Sequence, residues 1–267
     1  MGCSPRPTVD VVILTWNDGP LLGAAIASVT GGEGVDTRIV VVDNGSEPPA
    51  TVPDGVTLIR LPENRGVAAG RNVGIRAGSA DLVCLLDSDA ELGPCSLRSL
   101  VEGLEESGAD VAVPCFTAQA PTASAGAAPD LADKARRVLG RTAEYRPLGA
   151  PGPAGSGATT WVLEAGPRWW PVDFGIGACQ LFRRSAWDAV GGIDETFFYG
   201  PEDVDFCLRI KQIGGLVVQV AGDPVHHPPR RIHRRPINRR GMAHAWAVAR
   251  YYHRHRAWLR SSPAPRS

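Results

Sequence analysis

Lysine is almost missing from this chain of 267 residues: only Lys134 and Lys211 occur, so arginine carries nearly all the positive charge. A Gly-rich phosphate loop with its lysine near the N-terminus, the signature of a nucleotidyltransferase, is therefore absent. No run of residues approaches the roughly 20 apolar side chains that a membrane-spanning helix needs. The six cysteines, Cys3, Cys84, Cys95, Cys115, Cys179 and Cys207, form no Cys-x-x-Cys pair, and several sit in apolar runs where a free thiol packs as a small hydrophobe. That pattern excludes a cysteine zinc site and fits a reducing, cytoplasmic setting. The start of the chain, Met1-Gly2-Cys3-Ser4-Pro5-Arg6, has no apolar signal core, and Arg6 stands where a myristoylation motif has Ser or Thr. Acids are absent after Asp223, while arginines recur from Arg230 to Arg260, so a formal net charge of zero conceals a basic C-terminal appendage.

What is present is patterned as an α/β protein. Val9–Thr15, Arg38–Val42 and Val56–Leu61 are β-branched, apolar runs bounded by turn residues, and Pro20–Val29 between the first two has helical apolar spacing. Gly66–Gly78 reads as an Ala-rich helix despite its glycines, Asp81–Leu86 as a buried strand, Ser96–Glu106 as a helix and Ala109–Pro114 as a strand. From Thr117 to Gly157 the pattern dissolves into Ala, Pro, Gly and Ser, apart from a short helical stretch at Leu131–Leu139. Order returns over Trp169–Phe182, then come helices at Ser185–Val190 and Glu202–Ile213 and a strand at Leu216–Val220. Alternation of strands and helices predicts a mostly parallel, Rossmann-like sheet.

Two acidic clusters stand out. An Asp-x-Asp pair is a solvated turn more often than a metal site, but Asp87-Ser88-Asp89 ends a buried strand, and in open α/β sheets ligands bind at that edge. Two carboxylates at that spacing can bind Mg2+ or Mn2+ and leave positions open for diphosphate oxygens. The second cluster, Glu202-Asp203-Val204-Asp205, opens a helix, where acids are favoured by the macrodipole and cap the backbone. Three acids after Phe197-Phe198-Tyr199 exceed what capping requires, which makes one of them a candidate general base. The tail segment Ala245–Leu259 mixes Trp246, Tyr251, Tyr252 and Trp258 with arginines. It suits an interfacial helix at anionic lipid, an amphipathic helix packed on its own domain, or a contact in a homo-oligomer.

Taken in order, these stretches resemble the family 2 glycosyltransferases of GT-A fold, especially bacterial rhamnosyltransferase-like members. The resemblance rests on Thr15-Trp16-Asn17, Asp43-Asn44-Gly45-Ser46, Asn64-Arg65-Gly66, Gly70-Arg71-Asn72-Val73-Gly74, Asp87-Ser88-Asp89, Gly177-Ala178, Gly191-Gly192-Ile193-Asp194-Glu195, Glu202-Asp203-Val204-Asp205 with Arg209, and Val225-His226. It implies a nucleotide-sugar donor, UDP- or dTDP-linked, a glycan, lipid-linked or small-molecule acceptor, and inverting transfer. Thr15, Trp16 and Asp43 would meet the nucleoside, the Asp43 carboxylate accepting from a pyrimidine N3–H. Asn17, Asn64, Arg71, Asp87 and Ser88 would complete the donor site. Asp203 would be the catalytic base with Glu202 beside it, and Asp87, Asp89 and His226 the metal ligands for Mg2+ or Mn2+. His227 and His233 leave the register of that histidine open, and Trp16 stands where the family has Tyr. Pro228-Pro229 also departs from the family's usual continuation there.

The domain expected is residues 7–228, with a donor half at 7–115, a variable insert at 116–169 and an acceptor half at 170–228, followed by a basic helical tail at 229–267. The location expected is cytoplasmic, peripheral at the inner face of the cell membrane through that tail. A nucleic-acid-binding protein would explain the arginines, since phosphate contacts need only basic side chains, but it leaves the paired acids unexplained.

Overall fold

The computed structural model describes residues 6–117, 124–130, 168–228 and 246–256. The first half of the chain alternates strands and helices: β1 (Thr8–Thr15), α1 (Gly19–Thr30), β2 (Asp36–Asp43), β3 (Thr57–Arg60), α2 (Val67–Ala77), β4 (Leu82–Asp87), β5 (Glu91–Leu92), α3 (Ser96–Ser107) and β6 (Val111–Phe116). Two-residue β7 (Ala125–Gly126) precedes β8 (Trp169–Pro171), β9 (Phe174–Gly175) and β10 (Cys179–Arg183). Then come α4 (Arg184–Ala189), α5 (Glu202–Gln212), β11 (Val217–His226) and a helix at 246–256, α6.

The strands form a nine-stranded sheet in the order β3-β2-β1-β4-β10-β6-β11-β5, with β8 added on β11, while β7 and β9 pair separately. β1, β2, β3 and β4 are mutually parallel, as are β6 and β11. β10 is inserted antiparallel between β4 and β6. Hydrophobic runs without alternation are what a sheet covered on both faces demands. Val9, Val11 and Ile13 pack on one side with Leu22 and Ile26 of α1 and Leu100 and Leu104 of α3. Val12, Val83 and Leu85 pack on the other with Ile75 of α2, Phe206 and Leu208 of α5 and Tyr251 of α6.

The glycines of α2 explain its place. Gly70 and Gly74 are one turn apart and so lie on one face of the helix. A Cβ on Gly70 would come 2.4 Å from Leu14 Cδ1, and one on Gly74 2.3 Å from Val12 Cγ1. The stripe therefore lets the helix backbone settle on β1, whose last residues enter the site below. At the opposite end of β1, fully buried Asp10 accepts from Arg184 Nη2 at 2.7 Å and from the Ala80 backbone N–H at 2.7 Å, pinning β10 and α4 to the start of the sheet.

β11 extends past the predicted Val220 to His226, through an irregularity between Val220 and Val225. There Asp223 Oδ2 accepts from the Cys95 N–H at 2.7 Å. The described part of the tail, α6, packs on its own domain: Ala247, Tyr251 and His255 are buried. No helix among the described residues is long and apolar enough to cross a membrane. The helix expected at 131–139, His233, and tail residues 229–245 and 257–267 lie outside the described residues.

Candidate active site

From β1 the chain steps outward to β2 and β3, then returns to the other side of β1 as β4. Such a reversal opens a crevice at the carboxyl ends of the two central strands. The register puts Thr15 beside Asp43 and Leu14 beside Asp87, so the expected donor residues end three adjacent strands on one edge.

At that edge Asp87, Asp89 and His227 each offer one ligand atom, all within 4.8 Å of one another. His227 Nε2 lies 3.7 Å from Asp89 Oδ1, and its ring sits 5.7 Å from that of Phe116. His226, the histidine first expected beside these acids, is turned elsewhere. It is exposed, its Nδ1 is 2.9 Å from Thr117 Oγ1, and it pairs with Glu91 across β11 and β5. Successive side chains of an extended chain project to opposite sides, so only one of the two adjacent histidines can face the acids. Two carboxylates and an imidazole with ligand atoms this close fit a small divalent cation.

Arg71 is buried at the same edge: Nη2 donates to Asp87 Oδ1 at 2.8 Å and to the Gly177 carbonyl at 2.7 Å, and Nη1 donates to Glu202 Oε1 at 3.2 Å. Gly177 has to be glycine for this, because a Cβ there would come 2.5 Å from Arg71 Nη1. Burial opposes the guanidinium charge, but the carboxylates of Asp87, Glu202 and Asp203 outweigh it and raise its proton affinity.

Glu202 and Asp203 open α5 at the same place. Glu202 is buried, and its carboxyl is pushed up to about 7, first by burial and then by the neighbouring Asp203 charge, with Arg71 pulling the other way. Asp203 is half-buried and also raised by burial, against the Gly177 N–H at 2.9 Å on Oδ2 and the Val204 N–H at 2.8 Å on Oδ1. Glu202 Oε2 has no hydrogen-bond partner among the described residues. Tyr199, half exposed, feels burial first and then Glu202, Asp87 and Asp203, which together raise its hydroxyl. Phe198 and Tyr199 thus bring exposed aromatic surface to the acids.

On the donor side, Thr15 is buried with its hydroxyl unpartnered among the described residues, while Trp16 is partly exposed just beyond β1. Asn17 closes the loop, accepting from the Glu47 N–H and donating its own N–H to Ser46 Oγ. Asp43 takes the turn role: its oxygens accept from the N–H groups of Ser46 and Ala50, both at 2.9 Å, and it is buried. Asn64 holds the turn into α2, its Oδ1 accepting from the Gly66 N–H and from the Asn44 side-chain amide Nδ2. Ser88 donates its hydroxyl to Asp18 Oδ2 at 2.9 Å. Asp18, directly before α1, was missed in the sequence; its carboxylate does not cap the helix but meets Ser88 at this edge.

The Glycosyl transferase family 2 profile matches residues 10–191, which is more than half of the chain. The chain belongs to glycosyl transferase family 2. This family 2 enzyme is similar to N-acetylglucosaminyl-diphospho-decaprenol L-rhamnosyltransferase of Mycobacterium tuberculosis (strain ATCC 25618 / H37Rv), 29% identical over 273 residues that cover 94% of this chain and 86% of that protein. It is also similar to succinoglycan biosynthesis protein ExoO of Rhizobium meliloti, 37% identical over 113 residues, 40% of this chain and 32% of that one. The solved structure of S. aureus TarS 1-349 shares its fold, with a TM-score of 0.53 at 13% identity over 82% of this chain and 60% of that one. The glycosyltransferase therefore has the expected GT-A fold and transfers a sugar from a donor. The matched profile stops short of Glu202, Asp203 and His227.

Proposed function

We propose that this glycosyltransferase moves a sugar, with inversion, from a UDP- or dTDP-sugar to a hydroxyl of a lipid-linked glycan acceptor. The observation that carries this reading is the Arg71 clasp, which holds Asp87 of the diphosphate end and Glu202 of the acceptor end in one buried network. Similarity along 94% of the chain to an enzyme named for rhamnosyl transfer to N-acetylglucosaminyl-diphospho-decaprenol supports the choice of acceptor.

Asp203 is the base in this reading. It is more accessible than Glu202, and burial raises its proton affinity toward what a base at neutral pH needs. The acceptor O–H bond breaks, its proton passes to the Asp203 carboxylate, and the freed electron pair forms the bond to the anomeric carbon. The anomeric carbon–oxygen bond breaks on the opposite face and leaves its electrons on the nucleoside diphosphate. Asp87, Asp89 and His227 would hold Mg2+ or Mn2+, which when bound neutralises charge on that leaving diphosphate. Arg71 stays bound to Asp87 and keeps Glu202 beside the base, while Thr15 and Trp16 are placed to meet the nucleoside.

The test is transfer from dTDP-L-rhamnose to N-acetylglucosaminyl-diphospho-decaprenol with Mn2+, alongside a thermal-shift series of UDP- and dTDP-sugars. Asp203→Asn is expected to lower kcat by about 100-fold or more with unchanged donor binding. Transfer by that variant near the wild-type rate would remove the base assignment.

A further inference from the structure

Helix α6 meets the catalytic helix at Asp205, two residues beyond the proposed base. Asp205 is fully buried and gathers Arg209 Nε at 2.7 Å, Arg254 Nη1 at 2.8 Å and His255 Nε2 at 2.9 Å. The Gln212 side-chain amide lies 3.0 Å from His255 Nδ1. With the amide nitrogen donating there, the ring proton sits on Nε2 and donates to Asp205.

Arg254 reaches further than the other two. Its Nη2 contacts Asp194 Oδ2 at 2.5 Å, and its guanidinium lies 5.7 Å from the centre of the Phe197 ring. Phe197 and Asp194 belong to the loop that continues through Phe198 and Tyr199 into Glu202. The Phe198 carbonyl in turn accepts the first N–H of α2 from Val67 at 2.8 Å. One side chain thus ties the loop before the acid pair to the helix that carries it.

We infer that Arg254 is a positioning residue for the acceptor base, and that α6 is a brace fixing the start of α5. Resting on the assignment of Asp203 as base, this gives the basic tail a catalytic purpose that charge alone does not suggest. Positional error at a reacting group is expensive: misplacement by about 1 Å costs on the order of 100-fold in rate. The contacts of Arg254, to Asp194, Phe197 and Asp205, all lie away from the donor edge of β1, β2 and β4, so its effect belongs in turnover more than in donor affinity.

In the full chain, Arg254→Ala is expected to lower kcat for the rhamnosyl assay about tenfold while the dissociation constant for dTDP with Mn2+, measured by calorimetry, stays within about twofold. Arg254→Lys, which keeps a charge at Asp205 but cannot fork to Asp194 as well, is expected to fall between wild type and Arg254→Ala. His253→Ala, on the exposed side of the same helix, is expected to leave both values unchanged. Wild-type kcat in Arg254→Ala, or an equal loss of kcat and dTDP affinity, would overturn the brace. Should Arg254→Ala not fold, wild-type kcat in Arg254→Lys has the same force. Loss of transfer in Asp203→Asn with full activity in the Arg254 variants rejects the brace alone, whereas retained transfer in Asp203→Asn rejects the base.

Discussion

Two adjacent histidines show how much a single position decides. His227 faces Asp89 across 3.7 Å, and His226 is turned to Thr117. In the proposed cation site, removing His227 takes away a third ligand and costs far more than removing a neighbour that points away. His227→Ala is expected to weaken Mn2+ binding by about tenfold or more, and His226→Ala to change it little. Titration of Mn2+ by calorimetry or electron paramagnetic resonance checks this, and equal effects of the two substitutions would reverse the assignment. Arg71 shows the same dependence on position. A guanidinium already donating to Asp87, Glu202 and a backbone carbonyl shapes the acids, and burial makes its contacts costly to break.

Among the elements, α2 is the one whose composition looks wrong for its conformation. Glycine costs a helix up to about 1 kcal/mol relative to alanine, so Gly74→Ala would stabilise an isolated α2. In the protein the added Cβ meets Val12 Cγ1 at 2.3 Å and Val42 Cγ2 at 3.0 Å, both on buried strand residues. Overpacking wins, and Gly74→Ala is expected to destabilise by about 1–3 kcal/mol. Gly23 in α1 has nothing within 4 Å of the equivalent Cβ. Gly23→Ala is expected to stabilise by about 0.4–1 kcal/mol. Urea unfolding of the two variants should therefore show midpoints displaced in opposite directions.

Across the whole molecule, α6 is held by carboxylates whose charge depends on pH. Burial raises Asp205, but the hydrogen bond from His255, the Arg209 charge and the hydrogen bonds from Arg254 and Arg209 outweigh that and hold it below its ordinary 3.8. Asp194, raised by burial, is brought down to about 2 by Thr196 and Arg254. A carboxylate with a depressed folded-state pKa stabilises the fold above its unfolded value and loses that contribution as pH falls through the folded one. The contribution of these contacts is thus present above about pH 4 and is lost as pH falls below that, for Asp194 through about 2. Thermal unfolding followed from pH 7 to pH 2.5 should show a smaller loss of midpoint in Arg254→Ala than in wild type, since that variant has less of the contribution to lose.

Much of this enzyme was legible in order along the chain because its causes are local. Apolar runs made the strands, turn residues ended them, and Asp87-Ser88-Asp89 stood at a strand end because the apolar run of β4 stops there. The Glu202 helix began where a cluster of acids met the start of an apolar period. What only the tertiary structure decided were pairings between distant segments: Arg71 with Glu202 over 131 residues, Asp205 with His255 over 50, and antiparallel β10 inserted between β4 and β6. Periodicity and turn chemistry act over a few residues, so sequence alone determined the main strands and helices and the edge where they end, but not the two-residue β5, β7 and β9 or the full reach of β11. Charge partners are chosen by which buried groups topology brings within hydrogen-bond reach, and that choice exists only once the sheet has closed around them.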